Sequence, residues 1–357
     1  MHIKFETKAL DTALSGIAKI ITSPKFIQLE GKDGKVKVMT THEGFSVSCE
    51  LPCELKSPGK FAVVYDDLKK LFRNRKEIEM KLADKGNKVM FKAGSSKDFS
   101  GDIVTLETHR IEFKGAEDYV KLDDKQSEFL FGVVSCLALD DVYFKKPLPL
   151  TVHFSDTSGY CLVNSDFHIA VAKTKGTFAP LSITLPYKNF TAIMNLAGNK
   201  AFNMSVTDSC IVVKADSFDV VMPVESQEEN NTKAFLKIVA NVLQEEPIAA
   251  VEMLNLKSSM DCIMAIHDGK AGMDCKISKA VGGIALSISS LRGSVQDVLK
   301  TKVKGESEFK VSPVMVSNII RNAKKGVFKL RVSDRMFAFS NSSENVDFHY
   351  IGTFIAE

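Results

Sequence analysis

Cysteines, histidines and paired carboxylates, the side chains that most often do chemistry, are spread along this sequence without a catalytic spacing. Cys49 and Cys53 lie close together, but no second cysteine or histidine pair follows at zinc-finger spacing, so we interpret them as thiols at strand ends. The acidic pairs Asp123-Asp124 and Asp140-Asp141 stand where a helix is expected to begin and to end, and capping explains them better than two-metal chemistry. The seven histidines are scattered and fit surface or packed positions: His2, His42, His109, His153, His168, His267 and His349.

Motifs that bind nucleotides or activate nucleophiles do not occur in the sequence. It contains no Gly-rich phosphate loop ending in Lys-Ser or Lys-Thr, no G-x-G-x-x-G, no H-E-x-x-H and no G-x-S-x-G. We therefore predict a protein that is not an enzyme and that uses no cofactor and no metal. A hydrolase whose active site lacks a recognisable motif stays open as an alternative.

The composition is typical of a folded protein with little net charge. Of 357 residues, 45% are hydrophobic and 25% are charged, and 47 basic against 44 acidic residues give a net charge of +3. The seven cysteines are an odd number and most lie in apolar runs, which indicates reduced thiols and a cytoplasmic location. No apolar stretch is long enough to span a bilayer, and the first residues lack the layout of a signal peptide. Any contact with nucleic acid must come from uneven placement of charge, because bulk attraction is too weak.

A repeat organises the elements that carry these residues. Three segments share one pattern, in which a short strand runs into an amphipathic helix and alternating strands follow, joined at an Asp-containing turn. A strand and a helix also open each unit, over 3–21, 126–139 and 249–266. The turn aspartates are 124 and 126 residues apart, close to a third of the 357-residue chain: Asp84, Asp208 and Asp334. The pattern favours three domains with two copies of one strand-helix-strands element each, over three unrelated α+β domains.

The domain boundaries are predicted at polar segments. The first lies at residues 121–122, before a helix start with acidic residues in its first turn. The second lies in the acidic run 225–233, which has no apolar period and is typical of a solvated connector. The predicted domains are 1–121, 122–232 and 233–357.

This layout resembles the ring-forming DNA sliding clamps, and the three-domain length resembles the bacterial-type clamp, the β subunit of the replicative DNA polymerase, with a phage-encoded version as one alternative. Three local matches carry the resemblance: Met1-His-Ile-Lys-Phe before a helix centred on Leu10; Asn164-Ser-Asp-Phe-His-Ile-Ala-Val171, similar to the family's Thr-Asp-Gly-His-Arg-Leu-Ala stretch; and the closing strand Tyr350-Ile-Gly-Thr-Phe-Ile-Ala-Glu357. The resemblance implies an α+β fold of three tandem DNA-clamp domains, each with two helices and antiparallel sheets. It also implies a non-enzymatic processivity factor for DNA replication, acting in a bacterial or phage-infected bacterial cytoplasm at the replication fork.

A ring of this kind needs two copies of the chain. Six domains in a closed circle follow from three domains per chain and a head-to-tail homodimer with two equal contacts. Strand pairing across each junction would remove free sheet edges, which otherwise favour aggregation. A ring holds duplex DNA by its topology, so weak phosphate contacts independent of DNA sequence are sufficient.

Basic residues recur at the predicted inner helices. The segment 69–76 has five basic residues among eight, and the other two repeats hold lysine or arginine at equivalent places. Ordinary helix-dipole complementation on a solvated face is the alternative for each residue, and a nuclear-localisation signal is a further one for 69–76. Recurrence in three repeats favours contacts with DNA phosphates. The predicted DNA-lining residues are Lys8, Lys19, Lys25, Lys69, Lys70, Arg73, Arg75, Lys125, Lys188, Lys200, Lys257, Arg321, Lys324 and Lys325.

The resemblance also implies an apolar pocket between the second and third domains that binds short peptides of the polymerase and the clamp loader. The sequence departs from the family at Phe167, where Gly is usual, at Ile169, where Arg is usual, at Asn241, where Arg is common, and at the Ile-Ala-Glu terminus. These departures predict a less cationic groove with a different peptide preference, and core packing is the alternative for each apolar residue. The implied pocket residues are Leu148, His168, Ile169, Ala170, Val242, Leu243, Met336, Ala338, Ile351, Thr353 and Ile355.

The alternative function from another class is a non-catalytic structural ring or scaffold protein without DNA transit, such as a capsid or portal-associated assembly protein. The recurring lysines and arginines favour the clamp, because a scaffold has no use for basic charge on one wall.

Overall fold

A computed structural model of the chain describes residues 1–21, 23–72, 75–93, 100–108, 111, 119–137, 148–165, 168–207, 210–223, 232–267, 274–305, 308–322, 326–333, 335–343 and 345–353.

One order of elements occurs three times along the chain: a strand, a helix, four strands (five in the first repeat), a second helix and three strands. The first repeat comprises β1 (His2–Glu6), α1 (Thr7–Ile20), β2 (Phe26–Lys32), β3 (Lys35–His42), β4 (Phe45–Pro52), β5 (Glu54–Ser57), β6 (Gly59–Val64), α2 (Tyr65–Phe72), β7 (Glu77–Leu82), β8 (Lys88–Ala93) and β9 (Ser100–Val104). The second comprises β10 (Val120–Leu122), α3 (Asp124–Val133), a 3-10 helix (Val134–Leu137), β11 (Pro149–Phe154), β12 (Ser158–Asn164), β13 (His168–Lys175), β14 (Leu181–Pro186), α4 (Tyr187–Ala197), β15 (Phe202–Val206), β16 (Cys210–Ala215) and β17 (Phe218–Pro223).

After a further helix, α5 (Thr232–Gln244), the third repeat comprises β18 (Ala249–Glu252), α6 (Met253–Ile266), β19 (Cys275–Ala280), β20 (Gly283–Ser290), β21 (Gly293–Lys300), β22 (Glu308–Val311), α7 (Pro313–Asn322), β23 (Val327–Val332), β24 (Met336–Ser342) and β25 (Val346–Thr353). The threefold repeat of an α+β unit with antiparallel strands, predicted from the sequence, is therefore confirmed. Of the turn aspartates that suggested the period, Asp84 lies in the β7–β8 turn, while Asp208 and Asp334 lie outside the described residues.

Helix α5 was not predicted from the sequence, which indicated only a connecting segment at this place. Its apolar residues recur at helical spacing, as Phe235, Leu236, Val239, Val242 and Leu243 show, so the same periodicity would have indicated a helix. The acidic run before this helix is typical of a solvated loop, which is what the sequence predicted here. The predicted boundary at 232–233 falls in the first turn of α5. The domain limits themselves remain predictions.

Contacts divide the chain into two compact units. The first contains Met1–Ser127 with Ala192–Ser226, and its strands form an eight-stranded sheet in the order β10-β15-β16-β17-β4-β3-β2-β6 and a five-stranded sheet in the order β5-β1-β7-β8-β9. The second contains Glu128–Thr191 with Gln227–Glu357, and its strands form an eight-stranded sheet in the order β14-β11-β12-β13-β25-β24-β23-β18 and a four-stranded sheet in the order β21-β20-β19-β22.

Amphipathic helices pack against these sheets. In the first unit, α1 buries Leu10, Leu14 and Ile17 almost completely, and fully burying one such side chain stabilises a fold by about 1.5–3 kcal/mol. Gly16 on the same face lies so close to Leu196 of α4 that an added Cβ would displace the leucine side chain. The small residue thus lets a helix from the first repeat approach one from the second.

The described cysteines carry no disulfide. Cys49, Cys161, Cys210 and Cys275 are buried in the core, as the sequence indicated, whereas Cys262 is exposed on α6. Burial raises the pKa of the Cys49 and Cys275 thiols to about 12, with nearby carboxylates adding to the effect, so both are protonated at neutral pH. Within the described residues, no helix is long and apolar enough to cross a membrane.

Candidate functional site

The predicted DNA-lining residues that the structure describes lie exposed on helices or directly beside them. Seven are on the repeat helices, namely Lys8 and Lys19 on α1, Lys69 and Lys70 on α2, Lys125 on α3, Lys188 on α4 and Lys257 on α6. Three follow or precede these elements, namely Lys25, Arg75 and Lys200. Arg73, Lys324 and Lys325 lie outside the described residues, and the side chain of Arg321 on α7 is likewise not described.

Hydrogen bonds join the start of α1 to the segment that follows α2 in the first unit. The Thr7 backbone N–H at the start of α1 donates to the Lys76 carbonyl at 3.0 Å, and its hydroxyl donates to the carbonyls of Arg75 and Lys76. The basic segment after α2 is therefore fixed beside the first turn of α1, which carries Lys8. The Lys69 ammonium lies 5.6 Å from the Tyr65 ring centre, a cation–π contact within α2.

The six repeat helices, which are α1, α2, α3, α4, α6 and α7, have nearly balanced charge. Together they carry eight basic and six acidic residues, including Asp66 and Asp67 in the first turn of α2. Acidic residues at helix starts and basic ones at helix ends complement the helix dipole, so part of this pattern serves helix stability. The helices therefore carry little net charge.

The predicted peptide pocket is largely occupied by α5. Residues from α5 and from four adjacent strands of the second unit's large sheet form one apolar cluster. Its buried members are Leu162, Ile169, Val171, Val239, Val242, Ala338 and Ile351, with Tyr160, Phe235, Leu236, Ile238, Leu243 and Met336 packed against them. The cluster thus brings together six residues of the predicted pocket, and most of their apolar surface packs in the core.

The remaining predicted pocket residues lie elsewhere. His168 and Ala170 alternate with Ile169 on β13 and so face the opposite side of the sheet, where the His168 ring stacks on Tyr350 with centres 5.9 Å apart. Burial lowers the pKa of His168 to about 4, and its Nδ1 has no hydrogen-bond partner among the described residues. Leu148 is buried just before β11, Thr353 ends β25, and Ile355 and the family departure Phe167 lie outside the described residues.

The apolar cluster is partly exposed at both ends of α5, through Phe235 and Leu236 near the N-terminal end and through two residues at the C-terminal end. Leu243 and Met336 are only half-buried there. Arg331 ties this end of the helix to the sheet, because its Nε donates to the Glu245 carbonyl at 3.0 Å and its Nη1 donates to the Ser340 hydroxyl at 3.2 Å. Among the described residues of the predicted pocket, Leu243 and Met336 are therefore the apolar ones that are partly exposed.

Two sheet edges, one in each unit, are further candidate contact sites. The sequence predicted strand pairing across the ring junctions but did not indicate which strands would pair. The end strand of the second repeat, β17, pairs with β4 of the first repeat, and the end strand of the third, β25, pairs with β13 of the second. In the first repeat β9 corresponds to β17 and β25, and in the third repeat β21 corresponds to β4 and β13. Both β9 and β21 are edge strands of the smaller sheets. Val104 on β9 is 67% exposed and Val298 on β21 is 40% exposed, so both edges present apolar side chains.

No group of three or more His, Cys, Asp and Glu side chains among the described residues is arranged to hold a metal ion.

Comparisons with known proteins identify the fold. No protein-family model matches the sequence, and no curated protein matches it. The structure is similar to the DNA polymerase III beta subunit of Thermotoga maritima, with a TM-score of 0.77 and 16% identity over 100% of this chain and 99% of that one. It is similar to the DNA polymerase III beta chain of Streptococcus pneumoniae, with a TM-score of 0.79 and 11% identity over 100% of both chains. It is also similar to the DNA polymerase sliding clamp of Pseudomonas aeruginosa, with a TM-score of 0.77 and 10% identity over 100% of both chains.

At these identities the comparisons show the fold alone. The predicted resemblance to bacterial sliding clamps and the predicted fold of tandem clamp domains are both confirmed over the full chain.

Proposed function

We propose that the protein is a DNA sliding clamp, a ring of two chains that encircles duplex DNA and tethers a replicative polymerase and other partners in the bacterial or phage-infected bacterial cytoplasm. The observation that carries the proposal is the order of strands in the four sheets, together with the clamp fold over the whole chain. The proposal assigns the chain no catalytic step and no cofactor.

The strand order supports a head-to-tail ring. Each eight-stranded sheet joins one half from one repeat to one half from the next, through the pairs β17–β4 and β25–β13. In the smaller sheets, the strands β7-β8-β9 correspond to β15-β16-β17, and the strands β21-β20-β19-β22 correspond to β4-β3-β2-β6. Each of these halves lacks the partner half that completes an eight-stranded sheet. Pairing β9 of one copy with β21 of another would complete a third sheet of the same kind, and two such contacts close a dimer. Closure also covers two exposed sheet edges that would otherwise favour aggregation.

Exposed basic residues on the repeat helices support passage of DNA. Each repeat contributes lysines on helices that cover one face of its sheets, so a closed ring would line its hole with all of them. Their near balance with acidic residues favours weak, sequence-independent phosphate contacts, which let DNA slide. A structural ring without DNA transit is the second candidate, and a hole without salt-dependent DNA contacts would favour it.

Partner peptides are proposed to bind at the C-terminal end of α5. Half-buried Leu243 and Met336 offer a place for one large apolar side chain, and one well-buried anchor commonly dominates such binding. Ile169, where the family has Arg, is in the core beneath, which removes one cation from the groove.

The test of the proposal is retention on DNA by topology. The protein is diluted to open the ring, mixed with a plasmid carrying one nick, concentrated again and washed at high salt. We expect the protein to stay on the circular plasmid and to leave after a restriction enzyme linearises it, because a ring slides off a free end. Equal loss from circular and linear DNA would contradict encirclement.

A charged substitution at the sheet edge is the matched test of ring closure. Val104→Asp on β9 should lower the dimer fraction measured by analytical ultracentrifugation, since it places an unpaired carboxylate in the proposed contact. Val281→Asp, at a fully exposed turn of the four-stranded sheet, is the control and should leave the dimer unchanged.

A further inference from the structure

A cleft of about 610 Å³ lies at the N-terminal end of α5, on the second unit's large sheet. It is at the opposite end of this helix from the half-buried Leu243 and Met336. The residues that matter for its chemistry are Tyr160, Lys173, Lys175, Leu236, Ser343 and Asp347. Neither the proposed DNA passage nor the proposed peptide pocket uses it.

Polar side chains form one row across the sheet at this cleft, and three of them, Tyr160, Lys173 and Asp347, line it. On four adjacent strands, His153 lies opposite Tyr160, Tyr160 opposite Lys173, and Lys173 opposite Asp347. The His153 and Tyr160 rings stack with centres 5.1 Å apart and planes inclined by 28°, which fixes the phenol at the side of the cleft. The row lies beside the apolar cluster on the same face of the sheet, because Tyr160 also packs against that cluster.

Among the described residues that line the cleft, two are basic, Lys173 and Lys175, and one is acidic, Asp347. The half-buried Lys173 ammonium makes no hydrogen bond or ion pair with a described residue, and burial lowers its pKa, an effect that the nearby Asp347 partly offsets. Lys175 lies two residues further along β13 on the same face and is exposed. Helix α5 above contains Lys233 and Lys237 and no acidic residue. An anionic partner would supply the missing counter-charge.

The spacing of Lys173 and Lys175 along β13 indicates which kind of anionic partner fits. Residues two apart on a strand are about 6.8 Å apart and point the same way, and the same period holds for an extended peptide. Leu236 and Val346 form an apolar part of the wall that one hydrophobic side chain could contact. A volume of about 610 Å³ accepts a few peptide side chains but not a nucleic-acid duplex.

We propose that this cleft is a second docking site, which binds an extended acidic peptide with carboxylates two residues apart and an apolar side chain beside them. Lys173 and Lys175 each pair with one carboxylate, and Leu236 contacts the apolar side chain. All residues of the site belong to the second unit, and neither β9 nor β21, the strands proposed to close the ring, contributes to it.

The test is a peptide titration with the full chain. The probe is a fluorescent, end-capped peptide, Gly-Asp-Leu-Asp-Phe-Gly, and its control carries Asn at both Asp positions. Measured by anisotropy at low salt, the Asp peptide should bind about tenfold tighter than the Asn peptide, a plausible gain for two charge-assisted contacts. Lys173→Gln with Lys175→Gln should abolish that difference, and Asp347→Asn should tighten binding of the Asp peptide severalfold by removing a like charge.

Control variants test whether peptide binding depends on Lys173 and Lys175 or only on the net charge of the protein. Lys279→Gln with Lys302→Gln, two exposed lysines of the same unit, should leave binding of the Asp peptide unchanged. Lys175→Gln alone, at an exposed position that cannot unfold the sheet, should still weaken binding. Equal binding of the two peptides, or equal binding to the Lys173/Lys175 double variant, would overturn the proposal. Tighter binding of single-stranded DNA than of the Asp peptide at these lysines would also overturn it, in favour of a nucleic-acid site.

Discussion

Removing the two lysines at the end of α2 tests whether the repeat helices contact DNA. Lys69 and Lys70 are exposed, and neither forms an ion pair with a described residue. In a dimer, Lys69→Gln with Lys70→Gln removes four ammonium groups from the proposed ring. Each phosphate contact contributes about 0.9 to the slope of log Kobs against log salt, so the slope should decrease by about one to four units.

The fold should survive this double substitution. The two lysines lie in the last turn of α2, where a cation stabilises a helix by about 0.3–1 kcal/mol, and Lys69 loses a cation–π contact of similar size. A loss of about 1–2 kcal/mol in the free energy of unfolding is therefore the most we expect, with the dimer intact. The control is Lys81→Gln with Lys92→Gln, two exposed lysines on strands of the same unit.

The assay is fluorescence anisotropy of a labelled duplex over a series of salt concentrations, for both variants and the wild type. The slope should fall for the α2 variant and stay at the wild-type value for the control. Equal slopes for all three proteins would refute the DNA-lining role of α2. An equal decrease for both variants would show that net charge matters and position does not.

Three further predictions concern the fold that positions these sites. Gly283→Ala should destabilise the protein by about 1–3 kcal/mol in chemical denaturation, because the new Cβ would overlap the Leu299 carbonyl oxygen across β20–β21; an unchanged midpoint would contradict that contact. Val242→Ala should cost about 2 kcal/mol by leaving a cavity beneath α5, and no loss would mean that the helix does not pack as described. Burial lowers the pKa of His168 and of His349 to about 4, so the unfolded chain binds protons first as pH falls. Stability should be complete above about pH 6.5 and decrease toward pH 4, by at most about 3 kcal/mol for each histidine, and His349→Gln should flatten this dependence in acid denaturation curves.

The sequence predicted the repeat because that signal is local. A strand, an amphipathic helix and alternating strands leave periodic apolar residues, and a period of 124 and 126 residues is visible without any long-range contact. Helix α5 also has a local signal, in the spacing of Leu236, Val239 and Leu243. The acidic run just before it is typical of a solvated connector and favoured that prediction instead.

The pocket and the sheet edges depend on contacts that no local pattern contains. Ile169 and His168 are neighbours in sequence, yet strand alternation places them on opposite faces, and only the pairing of β13 with β25 shows which face α5 covers. The row from His153 to Asp347 joins four strands, of which one lies far away in sequence. β9 and β21 each pair with one strand, and their outer edges have no partner within the described chain, which a sequence period cannot show.

The most direct test of the central claim, that two chains form a ring around duplex DNA, is an image of the purified protein by electron microscopy with the particle mass measured on the same sample. The account predicts a ring with twofold symmetry, a mass twice that of the 39.3 kDa chain, and a central hole wide enough for a hydrated duplex. A compact particle without a hole, or a stable trimer, would contradict it.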